Sequence, residues 1–220
     1  MDDKIAQLST MKFFQALSPQ EQEALANEVA LRHVKKGKIF YYPEDTGDDV
    51  FFLKEGTVQL YRISPEGKKL VIHTMNDNSL FGEVSLFDQH THGIFAEALT
   101  DCTIFVIGRT ELERLMIAYP GLGIKILQLA GERLRETETQ LEALAFKSIP
   151  ARLASLLLRL ARNGDEVTGL THQDLAEMIG TYRETTTQTL NDMKAEGIVE
   201  IGRRRISIMD RDALQAIAEK

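Results

Sequence analysis

Arg183, Glu184, Thr187 and Gln188 fall on one stripe of a segment with helical periodicity, and their side chains can read base-pair edges. Arginine donates a bidentate pair to guanine O6 and N7, glutamate accepts from cytosine N4, and glutamine pairs with adenine. All lie in the first half of the second of two short helices predicted within residues 171–197, THQDLAEMIGTYRETTTQTLNDMKAEG. The first helix starts at Thr171, carries Leu175, Met178 and Ile179 on its apolar side, and stops at Gly180. The second is predicted to start at Thr181, whose T-x-x-E spacing to Glu184 resembles a capping box. Tyr182, Thr186, Leu190 and Met193 form its buried stripe. Two short helices joined at a glycine, one with a buried stripe and a polar reading stripe, fit a helix-turn-helix. For Glu184, capping and base reading both remain open at this level.

Downstream, residues 198–201 and 206–209 read as the arms of a β-hairpin whose tip is Gly202-Arg203-Arg204-Arg205. Three arginines can be a merely solvated turn. After a helix-turn-helix, a wing that sets Arg203, Arg204 and Arg205 against phosphates is the better reading.

These groups need a scaffold, and the rest of the chain supplies one. To about Leu31 the sequence reads as helical, with Ser18-Pro19-Gln20-Glu21 as a helix start. From Gly37 onward, glycines punctuate short β-rich runs at 38–42, 50–53, 58–63, 70–75, 95–99 and 103–107. Strands at that spacing predict an antiparallel sandwich or roll, with tight turns at Pro65-Glu66-Gly67 and Glu55-Gly56. After Gly108 the pattern turns helical. Leu127, Leu134 and Leu141 recur every seven residues, with Ala130, Thr137 and Leu144 three places after each. That predicts an a/d seam on one helix over residues 120–146. Packing on its own domain is the competing account of that seam. Gly131, Arg133 and Arg135 interleave with Glu132, Glu136 and Glu138 as a solvated face. Pro150 breaks the seam, so a new helix starts there with Ser148 as its cap and Leu153, Leu156, Leu157 and Leu160 as its apolar face. Asn163-Gly164-Asp165 ends it. The expected division is residues 1–119, 120–146 and 147–220.

Composition narrows the class. The chain has 220 residues, a net charge of -7 and one cysteine, Cys102. One cysteine excludes an internal disulfide and a four-cysteine cluster within the chain. From Lys147 onward, eleven basic and eleven acidic residues cancel, so the excess negative charge lies in the first 146 residues. Contact with phosphates must come from local clusters in the last third. The first ten residues have no apolar run of signal-peptide type, and no stretch is long enough to span a bilayer. The expectation is a cytoplasmic protein without a membrane partner. Nothing matches a P-loop, G-x-S-x-G or H-E-x-x-H, so an enzyme is not expected.

The chain resembles the CRP/FNR family of bacterial transcription regulators over nearly its full length. The matching stretches are KKGKIFYYPEDTGDDVFFLKEGTVQLY, FGEVSLF, ALAF and THQDLAEMIGTYRETTTQTLNDM. The resemblance implies an α+β chain: an amino-terminal double-stranded β-helix of the jelly-roll, cyclic-nucleotide-binding type, a long dimerisation helix and a carboxy-terminal winged helix-turn-helix. It implies a homodimer on a palindromic site in double-stranded DNA, with RNA polymerase as protein partner. It places Arg183 and Glu184 on base-reading positions, and Thr171, His172 and Gln173 at the DNA backbone and its edge. Gln188 stands where the family often has arginine.

For the effector, the resemblance places Gly82, Glu83 and Thr137 in the pocket. Relatives that bind cyclic nucleotides carry arginine followed by serine or threonine where this chain has Gly93 and Ile94. An unpaired buried phosphate is costly, so control by cyclic AMP is not expected. No cofactor is predicted and the effector is unassigned. His73, His90 and His92 are candidate haem ligands, with packed or surface histidines the better reading, and Cys102 reads as a small buried hydrophobe. The competing functions are a cyclic-nucleotide-binding regulatory module and a haem- or redox-sensing member of the same family. The first leaves residues 171–193 and the arginine wing without a purpose.

Overall fold

The structure, a computed structural model, describes residues 2–83, 91–162 and 164–220. Residues 84–87 of FGEVSLF, His90 and Asn163 lie outside the described residues. Helices α1 (Asp2–Leu8), α2 (Lys12–Gln15) and α3 (Pro19–Glu28) precede strands β1 (Ala30–Val34), β2 (Ile39–Tyr41), β3 (Asp49–Glu55) and β4 (Val58–Ile63). Strands β5 (Lys69–Met75), β6 (Ser79–Phe81), β7 (Phe95–Ala98) and β8 (Cys102–Gly108) follow. Then come α4 (Arg109–Ala118), α5 (Pro120–Phe146), α6 (Ile149–Ala161), β9 (Glu166–Thr168), α7 (His172–Ile179), α8 (Arg183–Ala195), β10 (Val199–Gly202), β11 (Arg205–Ile208) and α9 (Arg211–Ala218). By contacts the chain forms two units, residues 1–62 with 72–135 and residues 63–71 with 136–220.

In the first unit two four-stranded sheets, ordered β1-β8-β3-β6 and β2-β7-β4-β5, form a β-roll. Strand β3, DVFFLKE, explains its own sequence. Phe51 and Leu53 point into the core between the sheets, with Tyr41, Leu60, Phe81, Ala96 and Val106. Val50 and Phe52 point the other way, into a second core with Phe14, Leu25, Leu112, Leu122 and Ile126 from the helices. A strand buried on both faces loses the apolar–polar alternation and reads as a continuous hydrophobic run. The helical core begins at a capping box: Ser18 accepts from the Glu21 amide while Glu21 accepts from the Ser18 amide.

The structure departs from expectation at two strands of this unit. The helical reading to Leu31 is wrong, because Leu31 pairs with Phe105 in β1–β8. Only half-buried or exposed residues line β1, so no apolar period marks it. Strand β6, at three residues, is too short to show a period at all.

The second unit packs α6, α7, α8 and α9 against the sheet β10-β11-β9. Ser148 accepts from the Ala151 amide as the cap of α6, and Leu153, Leu156 and Leu157 are buried with Leu175, Leu190 and Met193. Thr186 is fully buried among them, and its hydroxyl has no hydrogen-bond partner. An orphaned buried hydroxyl costs about 1–3 kcal/mol. Thr186→Val should therefore raise the unfolding midpoint in thermal melts, by an amount matching about 1 kcal/mol. A fall in the midpoint would mean that the hydroxyl has a partner in solution.

Candidate nucleic-acid interface

The interface begins with how α7 starts and stops. Thr171 caps it, accepting from the Asp174 amide at 3.2 Å, while its own amide donates to Asp174 Oδ2 at 2.7 Å. Gly180 ends it in the left-handed conformation, φ +69°, where a side chain would be strained. Helix α8 then starts later than expected. Its cap residue is Tyr182, with no side-chain cap bond, so the proposed Thr181–Glu184 capping box is absent. Thr181 is buried instead, its amide bonded to the Ala176 carbonyl. Tyr182 is 63% exposed and does not join Thr186, Leu190 and Met193 in the core. Lys68, also in this unit, sits 4.3 Å from the Tyr182 ring centroid and donates to the Gly180 carbonyl at 3.1 Å.

Helix α8 exposes Arg183, Glu184 and Gln188. Gln188 Nε2 donates to Asp192 Oδ1 at 2.8 Å, one turn on. Thr187 Oγ1 lies 2.9 Å from His172 Nδ1, a bond that ties the first turn of α7 to α8. Sequence reasoning missed that tie, since the two residues lie on different helices. A groove of about 500 Å³ brings together Thr171, His172, Gln173, Arg183, Arg204 and Arg205, with no acidic residue in its lining. Glu184, Thr187, Gln188 and Arg203 are not part of that lining.

The wing is tighter than the sequence suggested. Gly202 pairs with Arg205, leaving Arg203 and Arg204 as a two-residue turn, and Arg204 takes φ +52°. Its carbonyl accepts from the Gly169 amide at 2.9 Å. Arg205 belongs to β11 and lies 3.7 Å from Glu166 on β9, an adjacent strand with no clear signal in the sequence.

The sequence-assigned effector residues sit in the β-roll, apart from Thr137, which is exposed on α5. Gly82 has φ +83°, and a Cβ there would come 2.9 Å from the Asp49 carbonyl oxygen, so only glycine fits. Glu83 is 5% exposed and pairs with Arg133 through Oε1, while Oε2 has no partner. Arg133, expected on a solvated face, is thus partly buried and also donates to the Leu80 carbonyl. His92 is buried and its ring stacks on Tyr41 at 3.6 Å. His73 is buried as well. Cys102 is buried, with burial pushing its thiol above the ordinary range. Among the described residues no cluster of three or more histidines, cysteines and carboxylates could hold a metal.

On α5, Leu122 and Ile126 face the helical core, whereas Leu127, Leu134 and Leu141 are 64%, 60% and 66% exposed. Leu144 is exposed, Thr137 likewise, and Ala130 is partly buried.

A β-roll joined in one chain to a winged helix-turn-helix with a cationic groove defines a DNA-binding transcription regulator. A model of the cyclic nucleotide-binding domain matches residues 31–119, and one of the Crp-like helix-turn-helix domain matches residues 151–217. The global nitrogen regulator of Synechococcus elongatus is 30% identical over 194 residues, covering 84% of this chain and 87% of that protein. The cyclic AMP receptor protein of Thermus thermophilus is 29% identical over 206 residues, covering 93% and 95%. A solved CRP/FNR-family regulator of Thermus thermophilus superposes with a TM-score of 0.74 at 28% identity, covering 87% of this chain and 99% of that one. The chain belongs to the CRP/FNR family of transcription regulators. No helix among the described residues is long and apolar enough to cross a membrane.

Burial holds the His92 imidazole below the ordinary histidine range, with the Asp45 charge opposing it. The folded state therefore disfavours the proton more than the unfolded chain does. Stability is fully present above the ordinary histidine pKa of about 6.5 and is lost as pH falls below it. His92→Phe should flatten the decline of the unfolding midpoint between about pH 7 and 5.5 relative to the unaltered chain. An unchanged slope would show that His92 titrates freely.

Proposed function

We propose that this regulator binds a near-palindromic operator in double-stranded DNA as a homodimer. Residues 1–119 act as the sensor, 120–146 as the dimerisation helix and 147–220 as the DNA-binding domain. The observation that carries the reading is the groove lined by Arg183, Arg204, Arg205, His172 and Gln173, with no acidic residue in its lining. Arg183 reads a guanine, Glu184 and Gln188 face neighbouring bases, and Thr187 acts through His172. Thr171, His172, Gln173, Arg203, Arg204 and Arg205 meet the backbone. Phosphate contacts set register and affinity, whereas base contacts set sequence preference. RNA polymerase is the protein partner this reading implies, and the cytoplasm is where it works.

Arg183→Ala should cost about 1–3 kcal/mol per half-site and relax preference at one base pair. Arg204→Ala should weaken all sequences alike and flatten the salt slope by about one unit per lost phosphate contact. Binding to single-base operator variants at two salt concentrations separates these roles. Uniform weakening by Arg183→Ala would make it a phosphate contact and refute the docking orientation.

The dimer rests on the bare stripe of Leu127, Leu134 and Leu141, extended by Ala130, Thr137 and Leu144. Burying each leucine contributes about 1.5–3 kcal/mol. Leu134→Glu with Leu141→Glu should yield monomers in sedimentation, and a persistent dimer would mean that the seam lies elsewhere.

A further inference from the structure

Resting on the operator reading above, we propose that Lys68 is a further DNA contact, its ammonium held beside the start of α8 by Tyr182 and meeting a backbone phosphate there. Lys68 is far in sequence from the helix-turn-helix, at the tip of the hairpin between β4 and β5. Residues 63–71 nevertheless cluster with residues 136–220. A tight turn fixes the tip. The Ser64 amide donates to the Lys68 carbonyl at 2.8 Å, the Lys68 amide donates to Ser64 Oγ at 3.2 Å, and Gly67 turns the chain at φ +82°. Leu70 seats the hairpin on the turn between α7 and α8, where a Cβ at Gly180 would come 3.2 Å from Leu70 Cδ1. From that base the Lys68 side chain reaches the Gly180 carbonyl at 3.1 Å and lies 4.3 Å from the centroid of the Tyr182 ring.

The positive charge is what the fold leaves over. A carbonyl and a ring face orient an ammonium without neutralising it, and the carbonyl takes only one of its three donors. The acids close by in the sequence and on α7 are engaged elsewhere. Glu66 takes a hydrogen bond from the Ser64 hydroxyl, while Glu177 lies 3.5 Å from Lys69 and accepts from Gln173 Nε2 at 2.8 Å. Glu184, the acid of the first turn of α8, forms no ion pair among the described residues, and neither does Lys68. Tyr182 fits the same account. It is 63% exposed, and as the cap residue of α8 it makes no side-chain cap bond, so neither packing nor capping explains the ring. It has Lys68 over its face and Arg183 next to it in the chain. A lysine acts on phosphate as a point charge and needs only to be within reach, whereas an arginine reading a base edge must be aligned. Beside Arg183, at the start of a helix that enters the major groove, Lys68 is placed for the backbone flanking the base that Arg183 reads.

The probe is the duplex that the unaltered full chain retains from a random-sequence pool, read by fluorescence anisotropy over a series of salt concentrations. Lys68→Gln keeps a donor for the Gly180 carbonyl and loses the charge. It should weaken binding about three- to tenfold at about 0.1 M salt and flatten the slope of log affinity against log salt by about one unit. The loss should be the same on every single-base variant of the duplex, and Lys68→Arg should restore both affinity and slope. Lys68→Met, which keeps the unbranched stem, makes the same comparison, and thermal melts check the fold of each variant. Weaker binding with an unchanged salt slope would reduce Lys68 to a cap on the turn after α7 and overturn the contact, as would unchanged binding. Arg204→Ala is measured alongside. A slope that flattens with Arg204→Ala and not with Lys68→Gln refutes the contact at Lys68 alone. A chain that retains no duplex refutes the operator reading and this contact with it.

Discussion

The left-handed turn at Gly180 is the constraint on which the DNA-binding unit depends. Helix α7 must end at Ile179 and α8 must begin at Arg183, leaving three residues to reverse the chain. At φ +69° glycine does this without strain, and a Cβ would also crowd Leu70 and Leu144 at 3.2 and 3.1 Å. That turn sets the angle at which Leu175 and Ile179 meet Leu190 and Met193 in one core. The same angle carries His172 to Thr187, so the packing that buries one side of α8 also braces its polar side. Arg183 then faces solvent in the first turn of α8.

The β-roll solves a different problem, that of placing a charge indoors. Glu83 follows the left-handed Gly82, which presses against the Asp49 carbonyl and Phe51. A carboxylate in such surroundings is costly alone, and Arg133 is the offset. The pair ties strand β6's end to α5 and gives the long helix a polar anchor beside its apolar contacts at Leu122 and Ile126.

Much of this was legible in the sequence, for identifiable reasons. Helix α5, the cap at Ser148, the stop at Gly180 and the six principal strands follow from period, capping chemistry and glycine spacing, all local signals. What stayed hidden is non-local. Thr181–Glu184 has the spacing of a capping box, yet the helix begins two residues later because Thr181 is drawn into the core. Arg133 looks like any solvated helix arginine until Glu83, fifty residues away, is brought beside it. His172–Thr187 is likewise a pair between elements that no window of sequence contains. The β1 and β9 strands failed for the opposite reason: short and largely exposed, they carry too few buried residues to imprint a period.

Helix α5 carries large apolar side chains on more than one stripe. An α-helix packed on one side shows a single apolar stripe, and its far side is polar. Here Leu122, Ile126 and the partly buried Leu129 make the inward stripe. Leu127, Leu134 and Leu141 make another that no described residue covers. Large apolar side chains repeating at seven-residue intervals on bare helix surface are unfavourable in water and fit the geometry of a two-stranded seam. Arg133 lies one residue before Leu134, so the helix that holds Glu83 carries the bare leucines on a neighbouring face.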